Sequence, residues 1–321
     1  MSSGRAKLRI LYRHYGGDNT KPRPSYYSKM LALASLLRAV EVLDEEPELV
    51  FINDQVRPGP ILSLMESRGE VVPAEGGSDA RSYRFMLDRE VARPAPADTF
   101  LWFSEDDYLY RPDALRHLCR GVTAVPGADY LTMYGSLALD AEASAGGRRL
   151  VVRGRSGAAD DPAAVSVDDV HWFRAVACTS TFGTRLGTLR EDLRLLRLTS
   201  VSGGAWDKTT NFALGGFLPF TGPELRADLL PGRSVPVTEW PRSMGRGAVR
   251  LVVTARSLRR PSRRRTLFGT DPELISHMEI DQPRFRALRS ERSAATDWDT
   301  IAKETAVWAE ERGIDVVRVA Q

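Results

Sequence analysis

Cysteine, lysine, histidine and long apolar runs are all scarce in this chain of 321 residues. Cys119 and Cys178 are the only cysteines, and their apolar sequence surroundings read as two buried thiols. Neither a disulfide framework nor a cysteine zinc site is expected. No stretch reaches the roughly 20 apolar residues that a membrane-spanning helix needs. Met1 to Lys7 is short and polar, with no apolar signal core behind it, so a cytoplasmic protein is expected. The formal net charge is only +3, and just five of the 45 basic residues are lysine. Genomic base composition explains that arginine bias as well as function does.

What is present is an ordinary globular composition, 42% apolar and 27% charged, patterned as alternating strands and helices. Leu8–Tyr12 reads as a strand, followed by a loop with Gly16, Gly17, Pro22 and Pro24. Ser25 is placed to cap a helix through Met30 to Leu43, whose apolar residues recur at helical spacing. Leu49–Ile52 is a second strand ending at Asn53-Asp54, Gly59–Ser67 a helix and Val71–Val72 a brief strand. Ser78 or Asp79 can cap the next helix, through Tyr83, Met86, Leu87 and Val91. Phe100–Phe103 is the fourth strand, apolar on both faces. This order implies a mainly parallel sheet covered by helices.

Downstream the pattern gives a helix over Pro112–Val122, a strand over Tyr130–Tyr134 and an exposed hairpin or loop over Ala141–Ala163. A strand over Val165–Val176 and helices over Leu186–Leu198 and Ala205–Leu214 follow. The last third gives a strand at Val249–Val253, a basic loop Arg256–Arg265 and a final helix over Thr300–Glu311. The sheet looks continuous through the middle of the chain, which favours one catalytic domain, 1–245, with a C-terminal extension, 246–321.

The fourth strand ends in three consecutive acids, Glu105, Asp106 and Asp107. Carboxylates at such a strand end reach the rim where ligands bind in open α/β sheets. Neighbouring carboxylates repel one another unless a cation or water lies between them. Mg²⁺ or Mn²⁺ accepts such oxygen ligands. An acidic turn, or a cap for the helix starting near Pro112, accounts for the same residues.

The stretch Gly76–Tyr110 resembles the nucleotide-sugar glycosyltransferases of the GT-A fold, the family-2-like group in particular. The matching parts are Gly76-Gly77-Ser78-Asp79-Ala80-Arg81, the strand Phe100–Phe103 and the acids Glu105-Asp106-Asp107. The resemblance extends over about the first 135 residues and implies an α/β, GT-A type Rossmann-like sheet flanked by helices. It implies a donor half, 1–135, and an acceptor half, 136–245. It also implies Mn²⁺ or Mg²⁺, a nucleoside-diphosphate sugar as donor and a hydroxyl-bearing acceptor.

Residue by residue, the resemblance assigns Asp107 to the metal and Asp106 to the metal, the ribose or a water beside them. It assigns Asp54 to the nucleobase and Arg81 to phosphate, and puts Tyr12 and Arg13 near the nucleotide. Late in the catalytic domain such enzymes often return a histidine to the metal, and His277 takes that part here. Ser104-Glu105-Asp106-Asp107 is not a strict Asp-x-Asp, and Asn53-Asp54 replaces the commoner acidic pair.

Ser202–Asn211 combines glycines, Trp206 and Asp207. Trp206 is suited to stack on a sugar face, and Asp207 to act as the general base of an inverting transfer. Asp207 capping a helix that begins at Lys208, with Trp206 as its staple, explains the pair equally. Arg81 reads equally as an exposed helix-face arginine. Thr179–Gly183 follows a strand and fits either donor-sugar contacts or a turn.

Gly16-Gly17 and Gly203-Gly204 lack the Gly-Lys-Ser/Thr ending of a phosphate loop. The Arg256–Arg265 loop is suited to close over a pyrophosphate or to make peripheral membrane contact. No nucleic-acid motif or stacking surface accompanies it, so no nucleic-acid partner is expected. A nucleotidyltransferase acting on a sugar phosphate is the second enzyme reading, for which Tyr12–Gly17 is a faint match. A non-enzymatic binder of anionic surfaces or nucleic acid through the Arg256–Arg265 loop is the third.

Overall fold

The computed structural model describes residues 7–17, 21–134, 137–140, 144, 150–152, 161–176, 178, 180–204, 206–231, 236–258, 264–280 and 289–316. The first half alternates β1 (Leu8–Tyr15), α1 (Lys29–Glu41), β2 (Glu48–Asp54), α2 (Pro60–Glu66), β3 (Glu70–Ala74), α3 (Asp79–Ala92) and β4 (Phe100–Glu105). Next come β5 (Tyr108–Tyr110), α4 (Ala114–Ala124), β6 (Tyr130–Leu131), β7 (Val165–Val167), β8 (Val170–Arg174) and β9 (Phe182–Arg185). The chain continues through α5 (Leu186–Thr199), α6 (Trp206–Leu214), α7 (Gly222–Leu229) and α8 (Trp240–Leu258). It then forms β10 (Leu267–Asp271), β11 (Ile275–His277), α9 (Glu291–Ala294) and α10 (Trp298–Glu310).

Nine strands form one sheet in the order β3-β2-β1-β4-β9-β6-β10-β8-β7. The half β3-β2-β1-β4 is parallel throughout, and β9 then pairs antiparallel with both β4 and β6. This is the α/β class expected, a mainly parallel Rossmann-like sheet covered by helices. β1 and β4 are buried along almost their whole length, which is why their sequences run apolar without alternation. Successive side chains still go to opposite faces. Ile10, Tyr12, Phe100 and Trp102 enter one core with Leu33, Leu36, Leu115 and Leu118 of α1 and α4. Leu11, Leu101 and Phe103 enter the other, with Met86 of α3 and Leu189 of α5. Each such side chain, fully buried, contributes roughly 1.5–3 kcal/mol.

Several expectations change. α1 is capped by Ser28, whose Oγ accepts from Leu31 N at 3.2 Å, and not by Ser25, because a turn from Pro24 to Tyr27 closes first. No helix follows the acids directly: β5 intervenes, pinned to β4 where Trp102 Nε1 donates to Tyr110 Oη (2.9 Å) and Tyr110 Oη to Ser104 Oγ (2.7 Å). Asp113 holds the N-cap position of α4, so neither Asp106 nor Asp107 does. Val165–Val176 is a hairpin, β7–β8, turning at Asp168 with a φ of 55°. Tyr130–Tyr134 shortens to β6.

The strand expected at Val249–Val253 is the middle of α8, Trp240–Leu258. The boundary drawn at 245/246 therefore falls inside that helix, and β10 joins the central sheet between β6 and β8. Cys119 is exposed rather than buried, since Leu115 and Leu118 take the inner face of α4. Much of Ala141–Ala163, together with Thr179, Ala205 and Arg259–Arg263 of the basic loop, lies outside the described residues. Among the described residues no helix is long and apolar enough to cross a membrane.

Candidate active site

A cleft of about 570 Å³ opens at the carboxyl ends of β1, β2 and β4, the place where parallel sheets of this kind take ligands. It is lined by Arg13, Asp54, Glu105, Asp106, Asp107, Trp206, Asp207 and His277, among others. Tyr12 and Arg81 do not line it, and neither do the described residues of the Arg256–Arg265 loop. Tyr12 lies below, in the core, its ring edge-on to Phe51 at 6.0 Å. Arg81 is exposed on α3.

One wall is the start of α3. Gly77 has a φ of 61°, a backbone state that costs glycine nothing, and its N–H donates to Asp54 Oδ1 at 3.2 Å. At Gly76 a Cβ would sit 2.6 Å from Asp54 Oδ2. The two glycines thus let the helix start approach the end of β2 and fix Asp54 at the cleft. The cation at this wall is Arg13. Its guanidinium bridges Asp79 and Glu105 and donates to Ser82 Oγ at 3.2 Å. Burial pushes the Glu105 carboxyl up, against the pull of Arg13.

Asp106 is held by another set of donors. Its Oδ2 lies 2.8 Å from His14 Nδ1, 2.9 Å from Lys29 Nζ and 3.0 Å from Tyr15 N. Burial alone would raise its pKa, but His14, Lys29 and the Tyr15 N–H outweigh it and hold the carboxyl below the usual range.

Asp107 faces a third group. β11 pairs antiparallel with β5, setting His277 opposite Tyr108. The imidazole stacks on the Tyr108 ring at 4.8 Å. His277 Nε2 lies 3.0 Å from Asp107 Oδ2 and 3.2 Å from Glu279 Oε1. Arg23 Nη1 is 3.1 Å from Asp107 Oδ2, and Lys21 pairs with Glu279. Burial pulls the His277 pKa down, but Asp107 and Glu279 overcome it and push it up to about 10. Burial pulls Glu279 the other way, and His277 and Lys21 bring it down to about 2.

Asp107, His277 and Glu279 each offer a ligand atom, all within 4.8 Å of one another. Two carboxylate oxygens and one imidazole nitrogen fit Mn²⁺ well and Mg²⁺ less well. Asp106 is outside this set. Glu279 was missed in the sequence, although a carboxylate two residues beyond a candidate histidine has the spacing of one face of an extended chain. Lys21, Arg23 and Lys29 were missed as well, and no local pattern marks them; His14, expected near the nucleotide because it follows the first strand, does line the cleft.

Across the cleft, α6 begins at Trp206, so Asp207 lies inside its first turn and does not cap from outside. Asp207 Oδ1 accepts from Lys208 N at 2.8 Å. Trp206 packs on Tyr83 with ring centroids 4.6 Å apart, a contact with α3 in place of the expected staple. Ser180 also lines the cleft, and Thr181 Oγ1 lies 3.3 Å from Glu105 N.

No protein-family model matches the chain, and no curated protein matches it in sequence. Among solved structures it is similar to TarS of S. aureus, with a TM-score of 0.40 and 12% identity over 75% of this chain. The chain spans 43% of the length of that TarS chain. It is also similar to a shorter TarS chain in complex with UDP, with a TM-score of 0.41 and 12% identity over 79% of this chain and 88% of that one. CMP:2-keto-3-deoxy-manno-octonic acid synthetase complexed with CTP is a further match, with a TM-score of 0.38 and 14% identity, covering 95% and 99% of the two chains. Likenesses at this level carry nothing about chemistry, which rests on the cleft itself.

Proposed function

We propose that the protein transfers a sugar from a nucleoside-diphosphate donor to an acceptor hydroxyl, with inversion. One observation carries the reading: Asp107 and His277, two of the three members of the metal-capable set with Glu279, line the same cleft as the carboxylate of Asp207. In the reaction, the acceptor oxygen attacks the anomeric carbon, the bond from that carbon to the diphosphate oxygen breaks, and the acceptor proton passes to Asp207. The chemistry supplied by a bound Mn²⁺ or Mg²⁺ is neutralisation of the charge that grows on the leaving diphosphate. Trp206 offers an apolar face to the sugar, and Asp54 accepts from the nucleobase. Asp106 sits at the ribose side.

Asp207→Asn keeps the shape of the side chain and removes its basicity. Donor turnover should fall about 10²–10⁴-fold, measured with a panel of UDP, GDP, CDP and TDP sugars in Mn²⁺. Undiminished turnover by Asp207→Asn, or by Asp107→Ala, would sink the assignment. NMR comparison of donor and product anomers decides the stereochemistry.

Nucleotidyl transfer to a sugar phosphate is the second reading, favoured by the four cations Arg13, Lys21, Arg23 and Lys29 along the same cleft. That set suits a triphosphate. Release of pyrophosphate from a nucleoside triphosphate would select it.

A further inference from the structure

Helix α8 exposes more large apolar side chains than it buries. Its buried positions are Ser243, Gly247, Val253, Thr254 and Ser257, of which only Val253 is a sizeable apolar residue. Val249 packs on the core beside it, but the larger share of the apolar bulk faces outward, with Trp240 37%, Met244 49%, Leu251 50% and Val252 44% exposed. Trp240, Met244, Ala248, Leu251 and Ala255 follow one another at steps of three or four, so they line one side of the helix. A surface helix ordinarily turns its large apolar side chains to the core. A contiguous exposed stripe marks an interaction surface.

The outward orientation is fixed by specific contacts. Ser243 Oγ donates to Asp228 O at 3.1 Å and Ser257 Oγ to Phe217 O at 2.6 Å. Arg246 and Arg250 both pair with Asp228, the latter at 2.7 Å, and Arg250 Nε donates to Ser202 O at 2.9 Å. Gly247 lies so near α7 that a Cβ there would be 2.9 Å from Leu229 Cδ2. Rolling the stripe inward would break these bonds and drive bulk into that contact.

Charge identifies the occupant. The helix holds Arg242, Arg246, Arg250 and Arg256 and no acidic residue, and Arg242 and Arg256 are exposed. We propose that α8 docks on an anionic lipid surface, its stripe entering the acyl boundary and Arg242 and Arg256 meeting headgroup phosphates. A second copy is a poor occupant. Two-fold pairing through the stripe would bring one acid-free arginine helix against another. This surface lies outside the cleft, and the inference does not rest on the sugar-transfer reading.

The test is co-sedimentation of the full chain with phosphatidylcholine vesicles, alone or with about a third phosphatidylglycerol. Binding should require the anionic lipid and fall at least about tenfold between roughly 0.1 and 0.5 M salt. The double variant Met244→Asp, Leu251→Asp should weaken it at least about tenfold. Arg242→Glu with Arg256→Glu should do the same. All four sites are exposed, and an unchanged melting temperature verifies each fold. A lipid-dependent blue shift in tryptophan emission should disappear in Trp240→Phe. Absence of binding to the anionic vesicles, or binding indifferent to Met244→Asp, Leu251→Asp, overturns the proposal. A dimer in sedimentation velocity that the same double variant dissociates overturns it in favour of self-association.

Discussion

Replacing His277 by alanine tests the metal-capable triad without reference to any sugar. With Mn²⁺ at about 100 times its dissociation constant, binding to the folded state alone adds about 2.7 kcal/mol of stability. For a chain of this length that is a rise of roughly 5 °C in melting temperature. Loss of even a supporting partner commonly weakens metal affinity by about 10–100-fold, so loss of a direct ligand should cost at least the upper figure. At the same Mn²⁺ concentration the gain then falls to about 0.4 kcal/mol, a shift under about 1 °C. The imidazole also stacks on Tyr108, so the metal-free variant will melt lower. The quantity to compare is therefore the Mn²⁺-induced shift within each protein, read by scanning fluorimetry against a chelator control. Glu279→Gln should reduce the shift as well. Asp106→Asn should not, because Asp106 lies outside the set of converging ligand atoms. An equal Mn²⁺ shift in wild type and His277→Ala would refute the triad as a metal site.

Three other predictions test the scaffold. Glu90 is fully buried and forms a two-toothed pair with Arg9, at 2.8 and 3.0 Å; Glu90→Ala removes that pair and leaves Arg9 with Glu48 at 2.8 Å, so it should cost about 1.5–3 kcal/mol in urea unfolding, and a loss within error would contradict it. The Cys178 thiol is pushed up to about 12 by burial and by Asp207, so iodoacetamide near pH 8 should label exposed Cys119 and spare Cys178, as peptide mapping would reveal. Burial raises Asp161, but its hydrogen bonds with Arg174 and the Ala163 N–H lower it below its ordinary value. Its stabilisation is present above the unfolded value near 3.9 and disappears as pH falls through the folded one. Asp161→Asn should therefore be less stable than wild type at pH 6, and the gap should close toward pH 2 in acid titrations.

The parallel half of the sheet was legible because each strand there is a short apolar run and each helix a periodic one, from Leu8 through Phe103. The first turns of α3 and α6 were legible too, since glycines beside an acid announce a tight approach. What stayed hidden were elements whose length or pairing is decided elsewhere. β5 and β11 have three residues each and exist because they pair with one another. β10, directly after the basic stretch, carries only two large apolar residues, Leu267 and Phe268, and is held as a strand by β6 and β8 on either side. In α8 the apolar residues fall on both the inner and the outer side of the helix, Val253 buried and Leu251 and Val252 exposed, so Leu251–Val253 reads as a continuous apolar run like that of a strand. Tyr12 was drawn toward the nucleotide by its neighbour Arg13, yet alternate residues of β1 face opposite sides of the sheet, and Tyr12 belongs to the core beneath.

The three acids after β4 are one motif in the sequence and three sites in space. An extended chain sends Glu105 to the α3 side, where Arg13 meets it, and the turn at Asp106 and Asp107 adds two further directions. Asp106 goes to His14 and Lys29, while Asp107 goes to Arg23 and a histidine 170 residues away. Mutual repulsion, the argument that first suggested a cation among them, is thus relieved separately at each carboxylate by a different positive partner. The acids are accordingly not interchangeable. Removing the carboxylate at 107 would leave His277 and Glu279 without their third ligand, and Asp106, turned to His14 and Lys29, does not replace it. What selects Asp107 is the β5–β11 pairing, which fixes Tyr108 against His277 and so sets the one carboxylate of the run beside two late-sequence donors. The metal-capable set therefore depends on the fold closing across a sequence separation of 170 residues.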